Sequence, residues 1–500
     1  MTPVAESGLD EALIRIDPAD SVAVALRAVA CGESLGTGLV ATADVPAGHK
    51  IALVAHAPGD SVCKYGQAIG RATAPIAPGD PVHSHNLATA LSGELAYDEA
   101  GAAHAPFPAS PAKSRWTGYL REDGRAATRN EIWVIPTVGC VAMLAESVAR
   151  DADIRHKGRI DAVVGFAHPH GCSQLGDDLA GTRAILAGLC DNPNAAGVLL
   201  LGLGCESNQL DALLAAVPER SRAKIRTLRA QDAEDEIDAA ARMIDAMVAE
   251  YGDRCRVALP ASALAVGLKC GGSDAFSGLT ANPLLGRLSD WLSAAGGRLI
   301  LTEIPEIFGA ETALLNRSVS RNVFDRATGL LNRFKRYFLD LGLPVSENPS
   351  PGNIAGGITT LEEKSLGAVQ KAGHAPLVDV IDYGMQASQP GLTLLEAPGN
   401  DAVSSTALAA AGATMILFTT GRGTPLGFPV PTIKVASNTD LATRKNHWID
   451  FDASRVLREP ADAVDADFHT ELLRIASGQA TAAERSGQRA IAIWKRGATL

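Results

Sequence analysis

From Trp116 onward the chain keeps returning to one pattern, an uninterrupted apolar run of strand length followed by a stretch with helical spacing. The runs are IWVIPTV, DAVVGFA, AGVLLLGLG, RLILTEI, PLVDVID, TMILFTT and TIKVAS, and the helical stretches include AMLAESVARDADI and AEDEIDAAARMIDAMVAEYG. A strand with no polar alternation must be covered on both faces, and helices between such strands provide the cover. The pattern therefore predicts an α/β fold with largely parallel sheets. A break near RCRVALPASALAVGLKCGG divides the region into units over 116–255 and 256–500.

The chain before Trp116 reads differently. Residues 13–95 hold short alternating segments such as HKIALVAHA, separated by the turn signals ESLGTG, DVPAGHK and two copies of APGD. This predicts a small β-rich domain over 1–95. The Ala- and Pro-rich stretch that follows predicts a linker over 96–115.

Composition narrows the function. The 500 residues carry 45 Lys and Arg against 56 Asp and Glu, a net charge of −11, with no basic block. Nucleic acid and anionic membrane are thus poor partners. The first residues, MTPVAESGLDEALIRI, lack the pattern of a signal peptide, and no apolar run reaches the ~18–20 residues of a membrane span. Eight cysteines in a chain of this length are too sparse for a disulfide scaffold. A cytoplasmic protein is expected.

Ligands of parallel sheets bind where loops leave the carboxyl ends of strands, and the polar motifs fall there. Gly139-Cys140 follows the first run, and His168, His170, Cys172, Ser173 and Gln174 follow the second. Cys205, Glu206, Asn208 and Gln209 follow the third, and Cys270 to Asp274 follow LAVGLK. Pro305-Glu306 and Gly421 to Thr424 follow two later runs. Any one motif is readily a capped turn; together they predict a polar cleft. None is a nucleotide fingerprint, a C-x-x-C zinc pair or a G-x-S-x-G elbow.

The small domain adds a second constellation: His49 and Lys50 in one turn, Lys64 in the next hairpin, and His83 and His85 at its end. On a strand, residues two apart point the same way, so His83 and His85 suit a shared Fe(II), Mn(II) or Zn(II) ion. Beside a metal and an anionic substrate, Lys50 and Lys64 would bind carboxylate or move a proton.

VPAGHKIAL, KYGQAIG and GDPVHSHN resemble the SAF-type domain that opens the altronate/galactarate dehydratases. GYLREDGRAATRNEIWVIPTVGCV, HPHGCSQLGDD, LGLGCESNQ, LKCGGSDAFSGLTANPLLGR, TEIPEIFGAE, ENPSPGN, GGITTLEEKSLGAVQKAG, APGNDAVSSTALAAAG, FTTGRGTP, KNHWIDFDA and IWKRGATL are similar to the same family, in order, over residues 18–500. The altronate branch is nearest; galactarate dehydratases and sulfolactate sulfo-lyases resemble the chain less. His170 stands where Tyr or another residue is usual in the family, and Ala275 and Ile354 stand where Gly and Lys are common.

The resemblance implies a hydro-lyase acting on a sugar acid: D-altronate losing water to give 2-keto-3-deoxy-D-gluconate, or galactarate or another aldarate in the alternative. It implies Fe(II), or Mn(II), as activator. Removal of the C2 proton beside a carboxylate creates an enediolate, which needs a cation or hydrogen-bond donors to hold its charge. On that basis the catalytic candidates are Lys50, His49, Lys64 and His168. Arg129, Asn130, Ser273, Asp274, Glu306, Asn353 and Arg422 are the substrate-binding candidates, and His83, His85, Cys172 and Cys205 the metal candidates. Which residue is the base stays open, and a homodimer is the expected assembly. Because Mn(II) would not replace iron in a cluster, no iron–sulfur cluster is expected. A thiol or metal sensor is the rival class, but it leaves Glu206, Asp274, Glu306 and Asn353 without a purpose.

Overall fold

The computed structural model describes residues 9–36, 38–97 and 114–500, so most of the linker expected over 96–115 lies outside the described residues. The first part folds into two small antiparallel sheets. One contains β1 (Leu13–Ile14), β2 (Val22–Ala25), β3 (Lys50–Ala52) and β6 (Pro81–Val82); the other contains β4 (Ser61–Lys64), β5 (Gln67–Ala72) and β7 (Leu87–Ala88). The repeated APGD segments form repeated turns. In each, the aspartate carboxylate accepts the amide three residues back, Asp60 from Ala57 at 2.7 Å and Asp80 from Ala77 at 2.8 Å. The glycines between, Gly59 and Gly79, adopt φ near +93° and +92°, which a side chain would resist.

A buried charge triad docks this module on the rest. Lys50 in β3 and Lys64 at the end of β4 are both fully buried, and both reach Glu363, at 2.8 and 2.7 Å. Lys50 Nζ also donates to the Gly357 carbonyl and the Thr359 hydroxyl. Glu363 lies in the first turn of the helix Leu361–Ala368, whose N-cap Thr360 accepts the Glu363 amide. Burial alone would raise the Glu363 carboxyl, but the two ammoniums outweigh it and hold it down at about 2. Burial lowers Lys50 to about 8, whereas at Lys64 burial is outweighed by Glu363 and Tyr65 together, which raise it.

The apolar runs become strands of two parallel sheets. The smaller has the order β11-β10-β12-β13, from β10 (Glu131–Pro136), β11 (Ala162–Gly165), β12 (Ala195–Gly202) and β13 (Ile225–Arg229). An antiparallel ribbon of β8 (Arg115–Leu120), β9 (Ala126–Ala127) and β14 (Val257–Pro260) lies beside it in sequence. The larger sheet has seven parallel strands ordered β17-β18-β16-β15-β19-β20-β21. These are β15 (Ala265–Cys270), β16 (Arg298–Leu301), β17 (Leu377–Ile381), β18 (Gly391–Leu395), β19 (Met415–Thr420), β20 (Thr432–Ala436) and β21 (Phe451–Asp452). Every residue of β10, β12, β15, β18, β19 and β20 is buried, as continuous apolar runs require. Among the described residues, no helix is long and apolar enough to cross a membrane.

Arg129 and Asn130 immediately precede β10, at the amino end of the sheet, and both are buried in the fold's own bonds. Arg129 pairs with Glu484 at 2.8 Å and donates to the carbonyls of Thr128, Ile475 and Gln479. Asn130 accepts from Arg121 and donates to the Tyr251 carbonyl. Their expected role in substrate binding is therefore corrected to one of structure. Arg489 joins the same network, bonding Glu131 and Glu484 and tying the C-terminal segment to β10.

Two outcomes follow. Glu363→Gln leaves two buried ammoniums facing a neutral amide, and breaking a buried pair costs roughly 3–5 kcal/mol. The variant should lose the small module's resistance to proteolysis and denaturant; unchanged unfolding would remove the triad from docking. At Glu484, Arg129 and Arg489 overcome burial and hold the carboxyl at about 2, against 4.5 in a free chain. Stability from this group is present above pH 4.5 and is lost as pH falls toward 2. The loss is on the order of 3 kcal/mol, so Glu484→Gln should flatten the acid limb of a stability–pH curve.

Candidate active site at the carboxyl edge of the larger sheet

Cys270 ends β15, and the loop after it lies over the carboxyl edge of the sheet. Asp274 anchors that loop: its carboxylate accepts the Ser277 amide and hydroxyl, the Ser437 hydroxyl at 2.7 Å and the Asn438 amide at 3.0 Å. The backbone of Gly421, after β19, passes so close that a Cβ there would lie 2.2 Å from the Asp274 carboxyl carbon. Ser273 contributes its carbonyl, which receives the Asn353 side-chain amide at 2.7 Å. Asn353 in turn closes a capping box with Ser350 at the start of the helix Pro351–Ala355. Arg422 is exposed beside this helix, its guanidinium 3.4 Å from the Gly352 carbonyl. The structure thus brings Ser273, Asp274, Asn353 and Arg422 to one place, with Ser273, Asp274 and Asn353 spending most of their bonds on holding the loops.

Beneath the loop lies a buried basin of charge. Lys269 bonds Glu303 and, at 2.8 Å, Asp401. Lys364 pairs with Glu306 at 2.8 Å and reaches Asn348 and Asn353. Lys371 lies 3.3 Å from Cys270 Sγ and 3.6 Å from Glu303, and the Cys270 thiol donates to Glu306 at 3.0 Å. Burial pushes the Cys270 thiol up to about 12 and, with Glu306 beside it, raises Glu303. Burial would raise Glu306 too, but Lys364 and Lys371 hold it at about 2. Glu303 has a left-handed backbone, φ 69°, the kind of strain that collects at functional sites.

Cys270, Glu303 and Glu306 place ligand atoms within 4.8 Å of one another, a spacing open to a metal ion. The surroundings oppose it, because three lysine ammoniums already contact the same three side chains. A divalent cation would have to displace them against their charge. The trio is better read as an internally neutralised base for the loop above, where Lys364 links Glu306 to Asn353.

The small module forms the facing wall. Gly48 packs against Ala275 and Phe276, and its carbonyl approaches Gly357. The His49 and His83 rings stack at 5.2 Å with an interplanar angle of 25°, and His83 Nε2 is 3.1 Å from the Ile354 carbonyl. Burial, then the nearby Lys50 charge, lowers His83; burial likewise lowers His49, with Lys50 adding to it. Both are thereby kept neutral at pH 7. The His83/His85 pairing is corrected. These residues occupy a turn, where the Asn86 and Leu87 amides both bond the His83 carbonyl, and His85 is exposed. Alternation does not apply in a turn, and the partner of His83 is His49. Lys50 and Lys64 are corrected as well, since each Nζ is buried and engaged with Glu363 rather than open to a substrate.

His168, Cys172 and Cys205 belong to the other sheet, on loops after β11 and β12. His168 is 3 % exposed; its Nε2 donates to the Pro136 carbonyl at 2.8 Å and its Nδ1 accepts the His170 amide. Both ring nitrogens are occupied and burial lowers its pKa to about 4, so the expected catalytic role is corrected to a neutral structural one. Cys172 and Cys205 are exposed.

Sequence reasoning passed over Glu303, Glu363, Lys364 and Lys371 as site-shaping residues. A signal was present in LEEKSLGAVQKA, where charges are interspersed with small and apolar residues rather than confined to one face. All but Gln370 of that segment is buried.

Three family models match in succession: the altronate/galactarate dehydratase SAF domain over residues 11–90, the D-galactarate dehydratase/altronate hydrolase second domain over 118–252, and the D-galactarate/altronate dehydratase C-terminal domain over 261–499. An altronate dehydratase of Bacillus subtilis (strain 168) is 46% identical, with 98% of this chain and 100% of that protein covered. An altronate dehydratase of Escherichia coli (strain K12) is 43% identical over 97% and 99%, and a galactarate dehydratase (L-threo-forming) of the same strain is 31% identical over 93% of each. With all three parts matched in order and this identity sustained end to end, the chain belongs to the D-galactarate/altronate dehydratase family.

Proposed function

We propose that this chain is a sugar-acid hydro-lyase that converts D-altronate to 2-keto-3-deoxy-D-gluconate and water. The observation that carries the substrate is the identity of 46% and 43% to altronate dehydratases, against 31% to a galactarate dehydratase, over nearly the whole length. The contact of the small module with the loop after β15, where Gly48 packs on Ala275 and Phe276 and His83 beside His49 reaches the Ile354 carbonyl, supports the chemistry.

Arg422, the exposed cation at the edge of the cleft, takes the substrate carboxylate. His49, neutral at pH 7, removes the C2 proton, and Arg422 offsets the charge that grows on the enediolate. The imidazolium formed on His49 then gives its proton to the departing C3 hydroxyl, which leaves as water, and the resulting enol tautomerises to the keto acid. Fe(II), or Mn(II), fits best against the neutral imidazole of His83, where it would supply Lewis-acid stabilisation of the same charge. His83 offers Nδ1 there, on the exposed side beside the Ser84 hydroxyl, whereas the Cys270 trio is already neutralised by lysines. All eight cysteines are free thiols, which suits the reducing cytoplasm as the place of action.

Anaerobically purified protein supplied with Fe(II) should release a 2-keto-3-deoxy acid from D-altronate; turnover of galactarate but not altronate would reverse the assignment. His49→Ala should lower kcat by roughly 10²–10⁴ with the circular dichroism spectrum retained. Full activity in that variant excludes His49 as the base. Because the lowered pKa keeps the ring unprotonated, kcat/KM should hold through pH 6.5 and fall only below it. A fall centred above 6.5 would point to a different base.

A further inference from the structure

Each strand of the smaller sheet from β10 to β12 ends in a loop that carries a glycine followed at once, in three of the loops' turns, by a cysteine: Gly139-Cys140, Gly171-Cys172 and Gly204-Cys205. The strands are neighbours, in the order β11-β10-β12, so the three thiols share one edge. The loops are clasped together. The Gly139 amide donates to the His170 carbonyl at 2.8 Å, the Asn208 amide donates to the Gly171 carbonyl at 2.9 Å, and Asn208 Nδ2 reaches the Thr137 carbonyl. A Cβ on Gly171 would lie 2.1 Å from the Thr137 carbonyl oxygen, so only glycine permits this approach. The buried Glu206 carboxylate fixes the third loop by accepting the Thr137 hydroxyl and the Gly204 amide, both at 2.6 Å. Ser173, next to Cys172, is held at φ 57°.

All of this rigidity displays three thiols that are exposed. Exposed small residues do not need such a frame, and exposed thiols are open to oxidation. Cys190 and Cys270, by contrast, are buried. We propose that Cys140, Cys172 and Cys205 are the protein ligands of an iron–sulfur cluster of the [4Fe–4S] class, contrary to the expectation from sequence. Thiolates on one tetrahedral ion lie about 4 Å apart. Among the described residues, only Cys270, Glu303 and Glu306 form a group of three ligand atoms within 4.8 Å. Three thiols on loops of neighbouring strands, not grouped within 4.8 Å of one another, suit a cluster, whose thiolates bind different irons. Three cysteines leave one iron without a protein thiolate.

The test uses the full chain, prepared anaerobically and reconstituted with ferrous iron and inorganic sulfide. The expected result is about four irons and four sulfides per chain, with the broad visible absorption of sulfide-bound iron. Cys140→Ser, Cys172→Ser and Cys205→Ser combined should abolish sulfide retention, while Cys255→Ser, an exposed thiol elsewhere, should not. In the unmutated protein the cluster should shield the three rim thiols from iodoacetamide while Cys31 and Cys255 react. Iron bound without sulfide, a cluster retained by the triple variant, or rim thiols alkylated as fast as Cys31 would each overturn the proposal. The readout does not depend on sugar-acid turnover, so it stands or falls separately from the dehydratase reading.

Discussion

The arrangement of the cleft depends on a single carboxylate, Glu363, held between two lysines that come from a different part of the chain. A lone buried ammonium is prohibitively costly, so Lys50 and Lys64 can be buried only if the small module meets the helix Leu361–Ala368 in one register. That register then decides what lies opposite what. Lys50 holds the Gly357 carbonyl, the backbone before it carries Ile354, and the Ile354 carbonyl meets His83. The two lysines expected to do chemistry instead bring His49 and His83 to the edge of the larger sheet.

The basin under Cys270 follows the same logic at greater density. Lys269, Lys364 and Lys371 face the buried Glu303 and Glu306 and the partly exposed Asp401, so the charges balance and each finds a partner. Such a network is weak evidence for stability, since apolar packing could replace it. It does fix the loop that bears Ser273, because Lys364 joins Glu306 to Asn353 and Asn353 donates to the Ser273 carbonyl.

Much of the fold was legible because buried parallel strands must be apolar throughout. IWVIPTV, AGVLLLGLG and TMILFTT became β10, β12 and β19. The strand β13, IRTLR, was not legible, because it lies at the sheet edge and only Ile225 and Leu228 are buried, so it carries no continuous run. At the site, Ser273, Asp274 and Arg422 were found from their positions after strands and Asn353 from the family resemblance, and the structure gathers them. Arg129 and Asn130 misled because they precede a strand instead of following one. His83 and His85 misled because spacing fixes direction only where the backbone is extended. Glu363 and its lysines were out of reach, since about 300 residues separate the partners and nothing local marks a buried pair.

The two parallel sheets put the same topological rule to different uses. At the larger sheet the loops after β15 and β19 are joined by a second module that closes over them, and the exposed cation Arg422 sits at the margin. At the smaller sheet the loops after β10, β11 and β12 close on one another through glycine contacts and leave their thiols outward. His168 shows how far that second rim is committed to shape: both its nitrogens are spent on backbone, and burial keeps it uncharged. A histidine withdrawn from chemistry to brace a loop makes sense only if the loop's geometry matters for what stands beside it. The neighbours it braces are the glycine–cysteine turns.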